Sequence, residues 1–242
     1  MYVNYCSVYY REMSRIRHDF TMHMSTVTGV PTGIGHNCPV TGAPVDDGNS
    51  DQLARIVTTA RRLFAEMGVA RTRLEDVANE VGISRQYLYR FVKGREELIE
   101  LALLARCAEV GAELEARAHL DSDDIREAIT DHIIAGISMG RDDREFKYLS
   151  AALDLERLNA FLTNEDSPLH RINTRAFGPL LARAISVGLL RTDVSVDAMT
   201  GWLQGVMTML SGRNDLDHDA LRQTVQNFVL PSLFVPSTAT RR

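Results

Sequence analysis

Three cysteines among 242 residues, Cys6, Cys38 and Cys107, are too few and too scattered for a disulfide framework. They fit the reducing cytoplasm instead, and Cys107, inside an apolar helical stretch, reads as a small buried hydrophobe. No run of about eighteen apolar residues occurs, which excludes a transmembrane helix, and no membrane partner is expected. The opening stretch MYVNYCSVYYREMSRIRHDFTMHMS has tyrosines and charges where a secretory signal needs an apolar core, so export is not indicated. Catalytic signatures are missing too. The one G-x-S-x-G match, Gly136-Ile137-Ser138-Met139-Gly140, falls in a helical stretch and not at a strand-to-helix elbow, and there is no G-x-x-x-x-G-K-[ST] loop, no H-E-x-x-H and no dinucleotide fingerprint. The Glu-x-x-His pairs of a ferritin-like di-iron bundle are absent as well. An enzyme is not expected, and no catalytic residue or cofactor is assigned. The formal net charge of −5 argues against a general nucleic-acid coater.

The chain does contain LEDVANEVGISRQYLYRFVK, Leu74 to Lys93. A helix-turn-helix needs a small residue at the helix crossing, a glycine in the turn and aliphatic residues on the facing sides. Ala78, Gly82, Val77, Val81, Ile83 and Leu88 fill those places. Thr72 and Glu75 read as a T-x-x-E capping box, starting a helix at Arg73. Gly82 suits the turn because it tolerates positive φ, and Ser84 reads as the second N-cap. Leu88 then points inward and Arg85, Gln86, Tyr87 and Tyr89 stay free. Arg and Gln can contact base edges bidentately, and tyrosine hydroxyls can reach phosphates.

The flanks extend this unit. Leu53, Ile56, Val57, Ala60, Leu63, Phe64 and Met67 form one apolar helical stripe, and Gly68 reads as its left-handed terminator. After the motif, Lys93-Gly94-Arg95-Glu96-Glu97-Leu98 turns into a long helix. From Asp51 to Leu104 the sequence resembles the tetracycline-repressor (TetR) family of bacterial transcriptional regulators. The resemblance rests on Ile56, Ala60, Leu63-Phe64, Gly68, Thr72, Val77-Ala78, Val81-Gly82-Ile83-Ser84, Leu88-Tyr89 and Arg95-Glu96-Glu97-Leu98. Two positions depart from it. Phe91-Val92 stands where the family commonly has His-Phe, and Tyr87 is larger than the usual Thr or Ser on the reading face.

The expected organisation is a flexible arm at 1–49, a helix-turn-helix domain at 50–97, a helical domain at 98–232 and a flexible tail at 233–242. The arm is rich in Gly, Pro, Thr and Val and carries Arg11, Arg15 and Arg17 against four acids, too little charge to track a minor groove. Its His36-Asn37-Cys38, with Cys6 behind, lacks a C-x-x-C pair and is not read as a metal site. Met13, Met22 and Met24 are alternative starts. From Asp51 to Arg106 there are ten Arg and Lys against eight acids; from Cys107 onward fourteen against twenty. DNA contact is thereby confined to the first domain. The small excess predicts few phosphate contacts per subunit, so two subunits should act together.

Beyond Leu98 the chain reads as all helix. The first helix runs to about Ala118, burying Leu98, Leu101, Ala102, Ala105, Ala108, Ala112 and Leu114. Asp121 or Ser122 caps the next, with Ile125, Ile129, Ile133, Ile134 and Ile137. Helices follow at Asp143–Leu153 and Leu155–Leu162. Ser167-Pro168 opens one ending at Gly188, Ser195 caps Val196–Ser211, and the last spans His218–Leu230 before Pro231. The fold class is therefore all-α, a three-helix DNA-binding domain joined by a long helix to a helical domain.

The resemblance implies that this second domain binds a ligand and dimerises. Helices near Leu169–Val187 and Val196–Ser211 would pair with a second copy, with Ala176, Gly178, Ala182, Ala184, Gly201 and Gly205 allowing close approach. A two-fold dimer reading a palindromic double-stranded operator also follows from the few base pairs one helix can read. The DNA-contacting set is Thr72, Arg73, Ser84, Arg85, Gln86, Tyr87, Tyr89, Arg90, Lys93 and Arg95. An apolar small-molecule effector is expected among Met139, Phe146, Leu149, Phe161, Phe177, Trp202 and Met207, with Tyr148 and Met209 nearby in the pattern. His132 and His170 read as satisfied histidines. The competing reading, a helical interaction protein whose helix-turn-helix does not read DNA, is opposed by Arg85, Gln86, Tyr89, Arg90, Lys93 and Arg95 on the exposed side.

Overall fold

The structure, a computed structural model, describes residues 47–117, 124–164 and 166–235. The arm with His36, Cys38, Cys6 and the alternative methionines lies outside these residues, as do Asp121 and Ser122. The chain divides into two compact units after Arg95.

The first unit holds α1 (Asp47–Met67), a 3₁₀ turn (Val69–Arg71), α2 (Leu74–Val81) and α3 (Arg85–Leu88). α1 starts within the segment assigned to the arm, and its Ser50 is already buried. The expected stripe is the buried one: Leu53, Ile56, Val57, Ala60, Leu63 and Phe64. Gly68 does take positive φ, but at φ 86° and ψ 144° it is extended rather than left-handed helical. That geometry sends the chain straight into the 3₁₀ turn and brings Thr72 back over the end of α1. The Thr72 hydroxyl donates to the carbonyls of Gly68 at 3.0 Å and Leu63 at 3.4 Å. Because that hydroxyl is used there, the capping box shifts by one residue. The Arg73 N–H donates to Asp76 Oδ2 at 2.8 Å, and α2 begins at Leu74 instead of Arg73.

The turn follows the sequence reading. Gly82 is left-handed, at φ 80° and ψ 32°, and the Ile83 N–H reaches the Ala78 carbonyl at 2.9 Å, the 6→1 bond of a Schellman stop. Ser84 accepts from the Tyr87 N–H at 3.1 Å and starts α3. Leu88, Phe91 and Val92 turn into the core. Val92 is thus the apolar plug despite the departure from the family pattern.

The second unit opens with α4 (Arg95–Arg117) and continues through α5 (Ile125–Asp142), α6 (Arg144–Ser150), α7 (Leu155–Thr163), α8 (Pro168–Ser186), α9 (Val196–Ser211), α10 (His218–Thr224), a π turn (Val225–Val229) and α11 (Leu230–Leu233). α4 does not bury the single stripe expected. Ile99, Leu103, Leu104, Cys107, Val110 and Gly111 are buried alongside Leu98, Ala102, Ala105 and Leu114, while Leu101, Ala108 and Ala112 are half-buried. A helix covered on more than one side shows no clean amphipathic period.

Local caps set most starts. Asp124, not Asp121 or Ser122, accepts from the Glu127 N–H to begin α5. Asp143, Asp154, Ser167, Ser195 and Asp217 do the same for α6 to α10. α5 and α9 run side by side in close contact. A Cβ on Gly136 would lie 2.7 Å from Met207 Sδ, and one on Gly140 would lie 2.8 Å from Ser211 Cβ, both pairs advancing by one turn. Arg141, next in sequence, donates to the carbonyls of Leu210, Arg213 and Leu216, closing the C-terminal end of α9.

The C-terminal end departs from expectation. Pro231 does not stop the last helix, because the widened π turn ahead of it relieves the clash a proline makes with the preceding turn. Leu233 and Phe234 are buried. Phe234 forms an isolated antiparallel bridge with Leu190, and Arg126 sits over its ring, 3.9 Å from the centroid. The packed chain therefore continues into the segment assigned to the tail, and 236–242 lie outside the described residues. Among the described residues no helix is long and apolar enough to cross a membrane.

Candidate nucleic-acid interface

α3 and the turn after it expose Arg85, Gln86, Tyr87, Tyr89 and Arg90, with Leu88 fully buried beneath them. This is the division expected of a reading helix: one anchor inward, polar and aromatic side chains outward. The exposed side chains are not loose. Arg85 Nη1 lies 2.5 Å from Glu75 Oε1 on α2, and its Nη2 donates to the Tyr89 hydroxyl at 3.3 Å. Its guanidinium carbon is 5.6 Å from the Tyr89 ring centroid. Tyr87 meets the buried Phe91 edge-on at 5.2 Å, and the Arg90 guanidinium stands 5.6 Å from the Tyr87 ring. Phe91, one of the two departures from the family pattern, thus supports Tyr87, the other.

Three members of the expected contact set are placed otherwise. Thr72 is 2% exposed and its hydroxyl is bonded to backbone, so it ties α1 to α2 and does not face outward as a phosphate contact would. Arg95 is half-buried, and its Nη2 donates to the Val69 carbonyl at 2.7 Å, bracing the 3₁₀ turn. The Ser84 hydroxyl caps α3. Arg73 and Lys93 are exposed. Arg62 is compensated within α1 and α2 by Glu66 at 3.1 Å and Glu80 at 2.5 Å. Glu75, by contrast, was read only as a capping residue, and its partner sits across the turn on another helix, where sequence spacing shows no pairing.

The expected effector residues do not share one environment. Leu149, Phe177 and Met207 are core residues, whereas Met139, Phe146, Phe161 and Tyr148 are half-buried. Trp202 is 53% exposed, its indole N–H donating to Ser232 Oγ at 2.9 Å, and Met209 is exposed too. Trp202 therefore does not line the interior of its own chain. His170 is buried, its Nε2 2.8 Å from Asp197 Oδ1. His132 is buried edge-on against Phe177, ring centroids 4.6 Å apart, and its Nε2 has no hydrogen-bond partner among the described residues. It is thus only partly satisfied. Burial lowers its pKa to about 4 against the opposing pull of the Ala176 backbone, which keeps the ring neutral at pH 7. No cluster of three or more metal-ligating side chains occurs among the described residues.

Residues 56–102 match the family model described as bacterial regulatory proteins, tetR family, a span holding the end of α1, the whole helix-turn-helix and the start of α4. The helix-turn-helix unit of this chain is thus similar to the tetR type. Solved structures are similar in fold to this chain well beyond that span. A TetR-family transcriptional regulator from Pectobacterium atrosepticum is 18% identical, with 78% of this chain and 97% of that one covered at a TM-score of 0.58. RolR, solved in complex with resorcinol, is 19% identical over 77% of this chain and 89% of its own, TM-score 0.55. No curated protein matches the chain. The all-α architecture of the described residues and a helix-turn-helix of the kind found in bacterial regulatory proteins follow from these findings together.

Proposed function

We propose that this protein is a ligand-released repressor that acts in the cytoplasm as a homodimer on a palindromic operator. The observation that carries the reading is the exposed Arg85-Gln86-Tyr87 surface, set on a helix-turn-helix whose turn and cap are built by Gly82 and Ser84. Arg85 and Gln86 read base edges in the major groove; Arg73, Tyr89, Arg90 and Lys93 bind phosphates.

The small residues of α8 and α9 support dimerisation unequally. Ala176 and Ala184 are buried within their own chain. Gly178 and Gly205 are different, because a Cβ on either would meet nothing within 4 Å. Nothing among the described residues requires a glycine there, whereas close approach of a second copy does. Trp202 and Met209 on α9, with Phe228 beyond it, expose large apolar side chains, as an interface core needs.

The effector is a small, uncharged, largely apolar molecule, held between Met139, Phe146, Phe161 and the surrounding core. Neutral His132, edge-on against the core residue Phe177 and with its Nε2 unpartnered among the described residues, is the polar handle assigned to it. Resorcinol, the ligand of the RolR complex, is of this class. Release is transmitted through α4. Arg106 on that helix donates from Nε and Nη2 to Asp143 Oδ2 at the α5–α6 corner, at 2.9 and 2.6 Å. Burial alone would raise the Asp143 carboxyl; the Arg106 bonds and the Phe146 N–H outweigh it and hold it below its ordinary value. Movement of that corner on ligand entry thus shifts α4 and with it the spacing of the two reading heads.

The test is selection of duplexes from a randomised pool. The wild-type protein is expected to enrich one palindromic sequence, and the variant carrying Arg85→Ala and Gln86→Ala to lose sequence preference while sedimenting as wild type. Selection of the same sequence by that variant would overturn the assignment of the reading face.

A further inference from the structure

The reading arginine is already occupied in the free protein. Glu75 holds Arg85 Nη1 and Tyr89 receives Nη2, so the guanidinium is clamped between α2 and the turn after α3. Both side chains of the ion pair are about half exposed, 59% and 44%, and such a pair contributes little to stability. Nor does Glu75 cap α2, since Asp76 does that. An acid in the first turn of α2 suits the helix dipole, but Asp76 occupies that turn as well, so this does not explain why Glu75 is paired with Arg85 on a face turned to a polyanion.

We propose that Glu75 is a specificity-determining positioning residue, which keeps Arg85 off phosphate and leaves it for base edges. The inference rests on the assignment of Arg85 as a reading residue. A free arginine at this surface would swing to the nearest phosphate, a contact that strengthens binding to every sequence alike. Beside Glu75 its charge is already compensated, and the carboxylate repels an approaching phosphate. A guanine edge is not repelled in this way, because its N7 and O6 are neutral acceptors. A guanidinium has five N–H donors, and Glu75 and Tyr89 each take one, so a fork remains for the base. Fixing the rotamer beforehand also removes part of the ordering entropy of the base contact.

The experiment uses the full-length protein with Glu75→Gln, which keeps size and removes charge. Two duplexes serve as probes: the sequence enriched by the wild-type protein from a randomised pool, and the same bases scrambled. Binding to each is titrated over a range of salt. Glu75→Gln is expected to tighten binding to the scrambled duplex and to steepen its salt dependence by about one phosphate contact, a slope change near 0.9. The ratio of specific to scrambled affinity should fall about fivefold or more, the lower end of what a bidentate base contact contributes. Equal tightening on both duplexes, with the ratio unchanged, would overturn the proposal in favour of a general charge effect. In an Arg85→Ala background the Glu75 substitution should leave the ratio unaltered; the same fall there would show that the effect does not run through Arg85. If Arg85→Ala alone keeps the wild-type ratio, the assignment of the reading residue fails first, a result distinct from failure at Glu75.

Discussion

His132 shows what one buried side chain does to a regulator's response to pH. Its ring is packed against Phe177 and its folded pKa is lowered by burial from 6.5 to about 4. For a base with a depressed folded pKa, the unfolded chain takes up the proton first as pH falls. The stability from the neutral ring is complete above pH 6.5 and is lost between 6.5 and about 4, a swing of about 3 kcal/mol if the whole shift is realised. Urea denaturation at pH 7 and pH 4 should show wild type losing more stability than His132→Gln; equal losses would mean the ring is not desolvated. The residue scale also explains the reading face. Tyr87 and Arg85 gain their positions from Phe91, Glu75 and Tyr89, so their orientation depends on neighbours at other points of the chain.

At the scale of elements, helix starts were legible because an N-cap is a contact between residues three apart. Ser84, Ser167 and Ser195 all accept from the third residue onward, whichever way the rest of the chain folds. Thr72 departs from its expected cap for the same reason in reverse. Its local pattern fits a cap, but a carbonyl of α1 lies closer once the chain has turned at Gly68. The α5–α9 contact gives a graded prediction. Gly140→Ala sets its Cβ against Ser211 Cβ, close to backbone, and should destabilise by about 1–3 kcal/mol. Gly136→Ala meets only the far end of the flexible Met207 side chain, so its loss should be smaller. Thermal unfolding of the two variants checks the order; a larger loss at Gly136 would contradict the packing described.

At the scale of the whole molecule the same residue type serves opposite purposes. Gly136 and Gly140 are glycine because their own chain leaves no room, while Gly178 and Gly205 face open space. Exposed Trp202 stands three residues before Gly205 on α9, on the face proposed to meet another copy. Trp202→Glu should therefore shift sedimentation from dimer to monomer with the far-UV circular dichroism unchanged, and should weaken binding to a palindromic duplex far more than to a single half-site. A dimer that persists in this variant would remove Trp202 from the interface.

The amino-acid order alone determined the all-α class, the helix-turn-helix with Gly82 and Ser84 at its turn, and the outward set on α3. Those features depend on contacts within a few residues, where helical periodicity and cap chemistry act. Tertiary structure decided the rest: that Thr72 and Arg95 support backbone instead of facing outward, that Glu75 holds Arg85, that Trp202 lies outside and Phe177 inside, and that Pro231 sits within a helix. Each of these turns on which distant segment arrives beside a side chain, and burial and ion pairing depend on distance in space, which the order of residues does not state.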